Sequence, residues 1–521
     1  MNHEHVVART DELADGQMKE VQLQDRSILL VRIDGAYKAY LPECPHHGAP
    51  LADGVICQGH LRCPWHQAVF DLRNGELLEP PALDRLPHYE VRTEGDKVIV
   101  VVPTETAVKP RPPAMASEGE SDERTFVILG TGAAGISAAQ TLRSEGFAGR
   151  VVMVTRESAL PYDRTALSKS YLSKADAAAP QLRDEAFFNE NGIGVLTGQE
   201  VSAVDRQAKT VQFIDAEPLA YDRLLIATGS YPRRLNLPGE DLENVLTLRS
   251  LADCRKLRDL AGSNPKVVLI GASFIAMEAA ASLTQRGLEV HVVAPESVPF
   301  QATLGERIGQ MYRDVHEEKG VTFHLGDKPQ RYLGSDGAVR AVELASGQQI
   351  AADGVLVGVG VQPATQFLEA FERLEDGSLL VDAGQRVDAD VFAAGDVATV
   401  PDWRDGAPIR IEHWRVAMQQ GQLAARNMLD RNHRYAGVPF FWTNQYFVIT
   451  QFVGHVSGPC ETVFDGDPAD RQFVAYYVQD GQVRAAAGCQ EDAKMALLAE
   501  QMRGGQAVTL EEARQQVQQA G

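Results

Sequence analysis

Two short segments place thiols and imidazoles at fixed separations: Cys44-Pro-His46 and Cys63-Pro-Trp-His66, with sixteen residues, 47 to 62, between them. Each segment offers one thiolate and one imidazole. A centre of two iron atoms, one held by two thiolates and the other by two neutral imidazoles, needs one such pair from each of two loops. Cys57-Gln-Gly-His60 repeats the second spacing inside the interval, and two Cys/His pairs would also suit tetrahedral zinc. Gln58-Gly59 is turn chemistry, so Cys57 and His60 are expected on a hairpin that leads into the second loop, and His47 is expected to be a loop neighbour. The other cysteines, Cys254, Cys460 and Cys489, stand alone and are read as core or surface thiols.

A second chemistry lies in the glycines. Gly130-Thr-Gly132-Ala-Ala-Gly135 follows the apolar run Phe126-Val-Ile-Leu129 and opens a helical pattern, so backbone amides can approach a pyrophosphate at a helix N-terminus. Glu157 lies 22 residues past Gly135, after Val151-Val-Met-Val154, where a carboxylate takes ribose hydroxyls. A second copy reads Gly271-Ala-Ser273-Phe-Ile-Ala276, with Ser and Ala small enough to keep the helix close. After its next strand, Val290-His-Val-Val-Ala294, Glu296 is the nearest acid and no Arg stands ready for a 2′-phosphate, which favours NADH over NADPH. Leu225-Ile-Ala227-Thr-Gly229 and Asp390-Val-Phe-Ala-Ala-Gly395-Asp396 are small-residue turns ending apolar strands.

At 521 residues the chain exceeds one hydrophobic core and should divide into three or four units. Residues 1–103 carry short β-like runs punctuated by Gly and Pro. Residues 104–124 are rich in Pro, Ser and Glu with little to bury; as a flexible coil they would span about 25 Å and let the β domain move. From Thr125 the strand-turn-helix alternation of doubly wound α/β domains occurs twice, and after about residue 430 an α+β pattern follows, with the aromatic run Phe440–Phe447. The net charge of -21 disfavours nucleic acid and anionic membranes. Residues 267–283 are apolar, but Glu278 and the turn at Gly271 suit a buried strand and helix better than a membrane span. The N-terminal residues show no basic-then-apolar signal, so a cytoplasmic protein is expected.

Through Cys44-Pro-His-His-Gly-Ala-Pro-Leu51 and Cys63-Pro-Trp-His-Gln-Ala-Val-Phe70 the first hundred residues resemble the Rieske ferredoxin family. The resemblance implies a [2Fe-2S] cluster with Cys44 and Cys63 on one iron and His46 and His66 on the other. Gln67 departs from the glycine usual in the family, and the absence of extra loop cysteines, with Ala49 and Trp65 in those neighbourhoods, points to the low-potential ferredoxin branch. Residues 125 to 480 resemble the two-dinucleotide flavoproteins and, through Pro161-Tyr-Asp-Arg164-Thr-Ala-Leu-Ser-Lys169, the ferredoxin reductases that serve oxygenases and the apoptosis-inducing-factor-like proteins. That likeness implies Arg164 on the FAD phosphates, Asp396 on the ribityl chain, and Lys169 near flavin N5, paired with Glu278. It also sets Trp414 of Glu412-His-Trp414 against the isoalloxazine ring at a helix start. No Cys-x-x-Cys pair lies in this half, which argues against disulfide reduction.

The expected architecture is multidomain. An N-terminal all-β Rieske [2Fe-2S] domain (1–103) and a linker (104–124) precede two Rossmann-like α/β units, for FAD (125–240 and 352–430) and NAD(P)H (241–351), and a C-terminal α+β domain of reductase type (431–521). The expected activity carries electrons from NADH through FAD to the cluster and on to an external acceptor protein such as an oxygenase component. The rival readings are a redox-sensing protein with incidental turnover and a flavin reductase of a small molecule.

Overall fold

The computed structural model describes residues 2–24, 26–103, 109–119, 122–260, 265–503 and 507–519, the side chains of Asn2 and 516–519 excepted. The first domain has a six-stranded sheet in the order Asn2–Arg9, Lys97–Pro103, His88–Glu94, Ala36–Tyr40, Ser27–Ile33, Met18–Gln22. Strand Ser27–Ile33 is apolar on both faces because both are covered. Ile28 and Leu30 pack with Val98 and Val100, whereas Leu29, Val31 and Ile33 pack toward Cys44 and Cys63. A smaller sheet of Val55–Cys57, His60–Arg62, Val69–Asp71 and Leu77–Glu79 carries the second Cys/His segment between its middle strands.

Both dinucleotide units are five-stranded parallel sheets. The first runs Ile193–Leu196, Arg150–Val154, Thr125–Leu129, Arg223–Ile226, Val391–Ala393. The second runs Thr322–Leu325, Glu289–Ala294, Lys266–Ile270, Gly354–Val357, Val245–Leu246. Each glycine turn thus leaves a central strand, as the repeat in the sequence requires. Strand Gly354–Val357 pairs with Lys266–Ile270, so the second unit continues past the expected boundary at residue 351; its apolar Val-Leu-Val pattern fits either sheet, and only the pairing assigns it. Residues 267–283 form this central strand and the helix Phe274–Gln285.

Helix Trp414–Met428 lies on helix Ala133–Ser144, and Gly421 makes that approach possible: a β-carbon there would meet the Ala134 carbonyl oxygen at 2.2 Å. The C-terminal domain is a five-stranded antiparallel sheet, ordered Phe440–Gln445, Val448–Gly454, Gln482–Cys489, Gln472–Gln479, Glu461–Asp467, backed by helices Asp492–Arg503 and Leu510–Gln519. The expected free linker is corrected in part. Of residues 104–124, 104–108 and 120–121 lie outside the described residues, and the stretch 109–119 is strapped to the protein by backbone bonds from Arg85 to the Arg111 carbonyl, from Ala116 to that of Arg143 and from Gly119 to that of Ala148. Met115 packs against the core of the first dinucleotide unit. Among the described residues no helix is long and apolar enough to cross a membrane.

Candidate functional site

Strand Thr125–Leu129 ends in Gly130 at φ +115°, and Gly132 caps helix Ala133–Ser144. A β-carbon on Gly130 would lie 2.1 Å from the Ala227 carbonyl oxygen, and one on Gly135 would lie 2.0 Å from that of Gly130. At Gly132 the nearest atom to such a carbon is Arg164 Nε, at 3.8 Å. Gly130 and Gly135 therefore let strand, turn and helix close up, and Gly132 leaves the helix N-terminus open to a phosphate. A cavity of about 660 Å³ opens there, lined among others by Glu157, Arg164, Ala227, Gly229, Asp396 and Trp414.

The polar groups of this wall hold one another. Arg164 bonds Glu157 at 2.5 Å, and the Tyr162 hydroxyl donates to the same carboxylate at 2.6 Å. Burial pushes the Glu157 carboxyl up, but the Arg164 charge and these bonds outweigh it and hold it below its ordinary value. Asp396 accepts from Ser230 Oγ at 2.6 Å and from Arg249 at 2.8 Å. Trp414 is the first residue of its helix, capped by His413, whose imidazole burial brings down to about 4.

Lys169 Nζ lies 2.7 Å from Glu278 Oε2. Glu278 is 3% exposed and is held further by Ser168 Oγ at 2.5 Å and Thr443 Oγ1 at 2.8 Å. The expected Lys169–Glu278 pair is therefore formed, joining the stretch 161–169 to the second glycine-turn helix. At that second turn Gly271 has φ +106°, and a β-carbon on it would meet the Gly358 carbonyl oxygen at 2.4 Å. Ala276 is tolerated in place of glycine because residue 358 is glycine, whose own imagined β-carbon would come within 3.0 Å of Ala276 Cβ. Ser273 caps the helix without a side-chain bond, and Glu296 is exposed beyond strand Glu289–Ala294. The cavity wall takes Ile275 from this turn; Ser273, Ala276 and Glu296 lie outside it.

The two Cys/His segments come together. Both loops close alike, with the Cys44 amide on the Ala49 carbonyl and the Cys63 amide on the Ala68 carbonyl, each at 2.8 Å. His46 Nδ1 and His66 Nδ1 are 3.0 Å apart, about the separation of two nitrogens bound to one metal at about 2.1 Å. Burial, joined by neighbouring imidazoles, keeps both uncharged, with His66 brought down to about 3. The Cys44 thiol is raised by its hydrogen bond with Cys63 and by burial. Burial also opposes ionisation of Cys63, but the bond with Cys44 and the His66 and Trp65 amides bring it down. Among the described residues no three His, Cys, Asp or Glu side chains converge on one ion position. A sulfur pair beside a nitrogen pair suits two irons, and this donor set fits the cluster. Cys57 and His60 face each other across the expected hairpin, with Gln58 and Gly59 both at positive φ.

The cluster loops are seated on the reductase half. The Trp442 ring packs on His66 at 4.2 Å between centroids, and His47 Nε2 lies 3.6 Å from Asp163. The charge of Lys169 reaches His66 and helps to lower it. Arg415, 1% exposed, donates to the carbonyls of Pro80 at 3.0 Å and Gln67 at 2.9 Å and to Glu79 at 2.5 Å. Arg62 Nε donates to Glu500 at 2.6 Å. Sequence reasoning missed Ser168, Arg249, Arg415, Trp442, Thr443 and Gln451. Their partners lie tens to hundreds of residues away, and a lone Thr or Gln carries no motif.

Three family models match the chain: Rieske [2Fe-2S] domain over residues 3–90, pyridine nucleotide-disulphide oxidoreductase over 124–421 and reductase C-terminal over 440–519. Human (Homo sapiens) apoptosis-inducing factor 3 is 37% identical over 516 residues, covering 97% of this chain and 85% of that protein. The ferredoxin–NAD(+) reductase component of the biphenyl dioxygenase system of Paraburkholderia xenovorans is 37% identical over 366 residues, 70% of this chain and 89% of its own. The crystal structure of the ferredoxin reductase for the CYP199A2 system from Rhodopseudomonas palustris superposes with a TM-score of 0.71 at 29% identity, over 75% of this chain and 97% of that one. The chain belongs to the pyridine nucleotide-disulphide oxidoreductase family, as an FAD- and NAD-linked reductase of the ferredoxin–NAD(+) type joined to a Rieske [2Fe-2S] domain.

Proposed function

We propose that this protein oxidises NADH and delivers the electrons, by way of FAD and its own Rieske cluster, to an external acceptor protein such as an oxygenase component. The observation that carries the reading is the strand Phe440–Gln445. Its Trp442 packs on His66 and the next residue, Thr443, bonds the Glu278 partner of Lys169. One strand thus joins the His66 loop to the Lys169–Glu278 pair, with one of two successive side chains on each.

FAD, when bound, would supply the conversion of a two-electron hydride into single electrons that a [2Fe-2S] cluster can accept, chemistry that side chains do not supply. The residues provide the rest. Gly130, Gly132 and Gly135 shape the pyrophosphate seat, Arg164 and Glu157 serve phosphates and ribose, and Ala227, Gly229 and Asp396 line the ribityl path. Lys169, held by Glu278 next to Ser168 of the cavity wall, would offer a cation to a bound flavin, which would favour its electron-rich reduced form. Trp414, at the start of its helix and on the cavity wall, would turn the positive helix end toward the bound cofactor. Gly271, Ser273 and Ala276 seat NADH, and Glu296, with no arginine beside it, selects against a 2′-phosphate. Cys44 and Cys63 would hold one iron and His46 and His66 the other.

A Cys63→Ser variant tests the route. NADH-dependent reduction of ferricyanide, which takes electrons from flavin, should persist, and reduction of cytochrome c should fall sharply. Equal loss with both acceptors, or no loss with either, overturns the route. Electron paramagnetic resonance of NADH-reduced wild-type protein should show a mixed His/Cys [2Fe-2S] signal; a long-lived reduced flavin without it would favour a redox sensor.

A further inference from the structure

We infer that Gln67 is a positioning residue, a clamp that locks the second cluster loop, and with it His66, against the reductase half. The two loops are built to one plan, and the fourth residue after each cysteine is left-handed: Gly48 at φ +74° and Gln67 at φ +63°. Gly48 meets this demand without a side chain, and a β-carbon there would touch nothing within 4 Å. Gln67 carries a long side chain in a conformation that disfavours one, and it is fully buried. A buried, strained side chain persists when its surroundings fix it. Gln67 Nε2 donates to Gln451 Oε1 at 3.3 Å, its Oε1 accepts from Arg62 at 3.4 Å, and its main-chain oxygen accepts from Arg415 at 2.9 Å.

Each partner is held by further bonds. Gln451, 1% exposed, donates its amide to the Pro64 carbonyl at 2.9 Å and to Asp492 at 2.7 Å. Both are pure acceptors there, so the Gln451 oxygen must face Gln67. Arg62 is held by Glu500 of helix Asp492–Arg503, and Arg415 belongs to the helix that starts at Trp414. The side chain of Gln67 thus joins the loop to the C-terminal sheet, and its backbone joins it to the cavity helix. His66 directly precedes it, so this anchoring sets the ring against Trp442. A glycine at 67 would satisfy the backbone but remove the bonds to the Gln451 oxygen and from Arg62, so that of the Gln451 bonds only the one to the Pro64 carbonyl would still tie it to the loop.

The electron-transfer part of this inference rests on the proposed flavin-to-cluster route; the docking part stands without it. The test uses the full holoprotein as Gln67→Gly, Gln451→Leu and the double variant. Amide hydrogen exchange over residues 60–70, 440–454 and 492–503 reads docking, and freeze-quench paramagnetic resonance after NADH addition reads arrival of electrons at the cluster. In each single variant exchange over these segments should quicken about tenfold, the size expected from one or two net hydrogen bonds. Cluster reduction should slow about as much, with flavin reduction by NADH and the oxidised cluster spectrum unchanged. The double variant should lose less than the sum of the two single losses, because both single variants already break the shared Gln67–Gln451 bond. Unchanged or slower exchange in Gln67→Gly, as relief of backbone strain alone would give, overturns the clamp, and so does an additive double variant. Faster exchange with an unchanged rate of cluster reduction upholds the clamp and counts against the flavin-to-cluster route. Gln451→Leu alters no residue of the cluster loop, so the test does not depend on the folding of a single variant.

Discussion

Removing the charge of Glu278 should slow flavin reduction by NADH because that carboxylate fixes Lys169. At 2.7 Å the gross attraction is about 6 kcal/mol in an effective dielectric of about 20. Desolvation of Glu278, whose side chain is 4% exposed, takes back a large part, and Lys169, at 21%, keeps some water of its own. A net coupling of about 2–3 kcal/mol remains, a factor of roughly 30–150. Glu278→Gln can still accept from Ser168 or Thr443 but offers no charge. The assay is the anaerobic stopped-flow rate of flavin bleaching at saturating NADH for Glu278→Gln, Lys169→Met and the double variant, with FAD content checked in each. Each single variant should be about 50-fold slower and the double scarcely slower than either. A double variant whose loss is the product of the two single losses would show that the residues act separately, and the argument from the pair would fail. Thr443→Val should cost only about a few-fold, since Ser168 and Lys169 still hold the carboxylate.

Glu79 should make the inter-domain seam acid-labile. Burial pushes its carboxyl up, but the charges of Arg415, Arg62 and Arg503 outweigh it and hold the pKa at about 2, against 4.5 when free. A depressed carboxylate contributes fully above the unfolded value and loses its effect as pH falls toward the folded one, so Glu79→Gln should cost about 2–3 kcal/mol, flat from about pH 6 to 8 and vanishing between about 4.5 and 2. Urea titrations across that range check it; a difference that varies between about pH 6 and 8 refutes it. Gly421→Val should expel FAD, because its side chain would start 2.2 Å from the Ala134 oxygen and part the two helices at the cavity; flavin absorbance per mole of purified protein is the measure. A Cys57→Ser/His60→Ala double variant should keep full iron and sulfide content, since both residues sit on a hairpin; loss of half the iron would return them to the ligand set.

Local signals were legible where one short stretch does one physical job. Gly130 and Gly271 had to be glycine because their backbones are left-handed and pressed against neighbouring carbonyls. The Cys/His spacings marked their loops because each loop is closed by its own backbone bond. Strand Gly354–Val357 was misassigned because its apolar pattern suits either parallel sheet. Residues 109–119 read as free coil because backbone-to-backbone bonds to a neighbouring surface leave no mark on composition.

The seam between the halves had no such signature. Arg62 with Glu500, Gln67 with Gln451 and Glu79 with Arg415 are pairs separated by more than three hundred residues, and each reads alone as a solvated polar side chain. The sequence by itself determined which atoms have the type and spacing to suit iron, phosphate or ribose, since donor type and spacing are local chemistry. Tertiary structure alone decided that one strand sets Trp442 on His66 and Thr443 on Glu278, because burying a charge or an amide requires a partner, and only the folded chain brings those partners together.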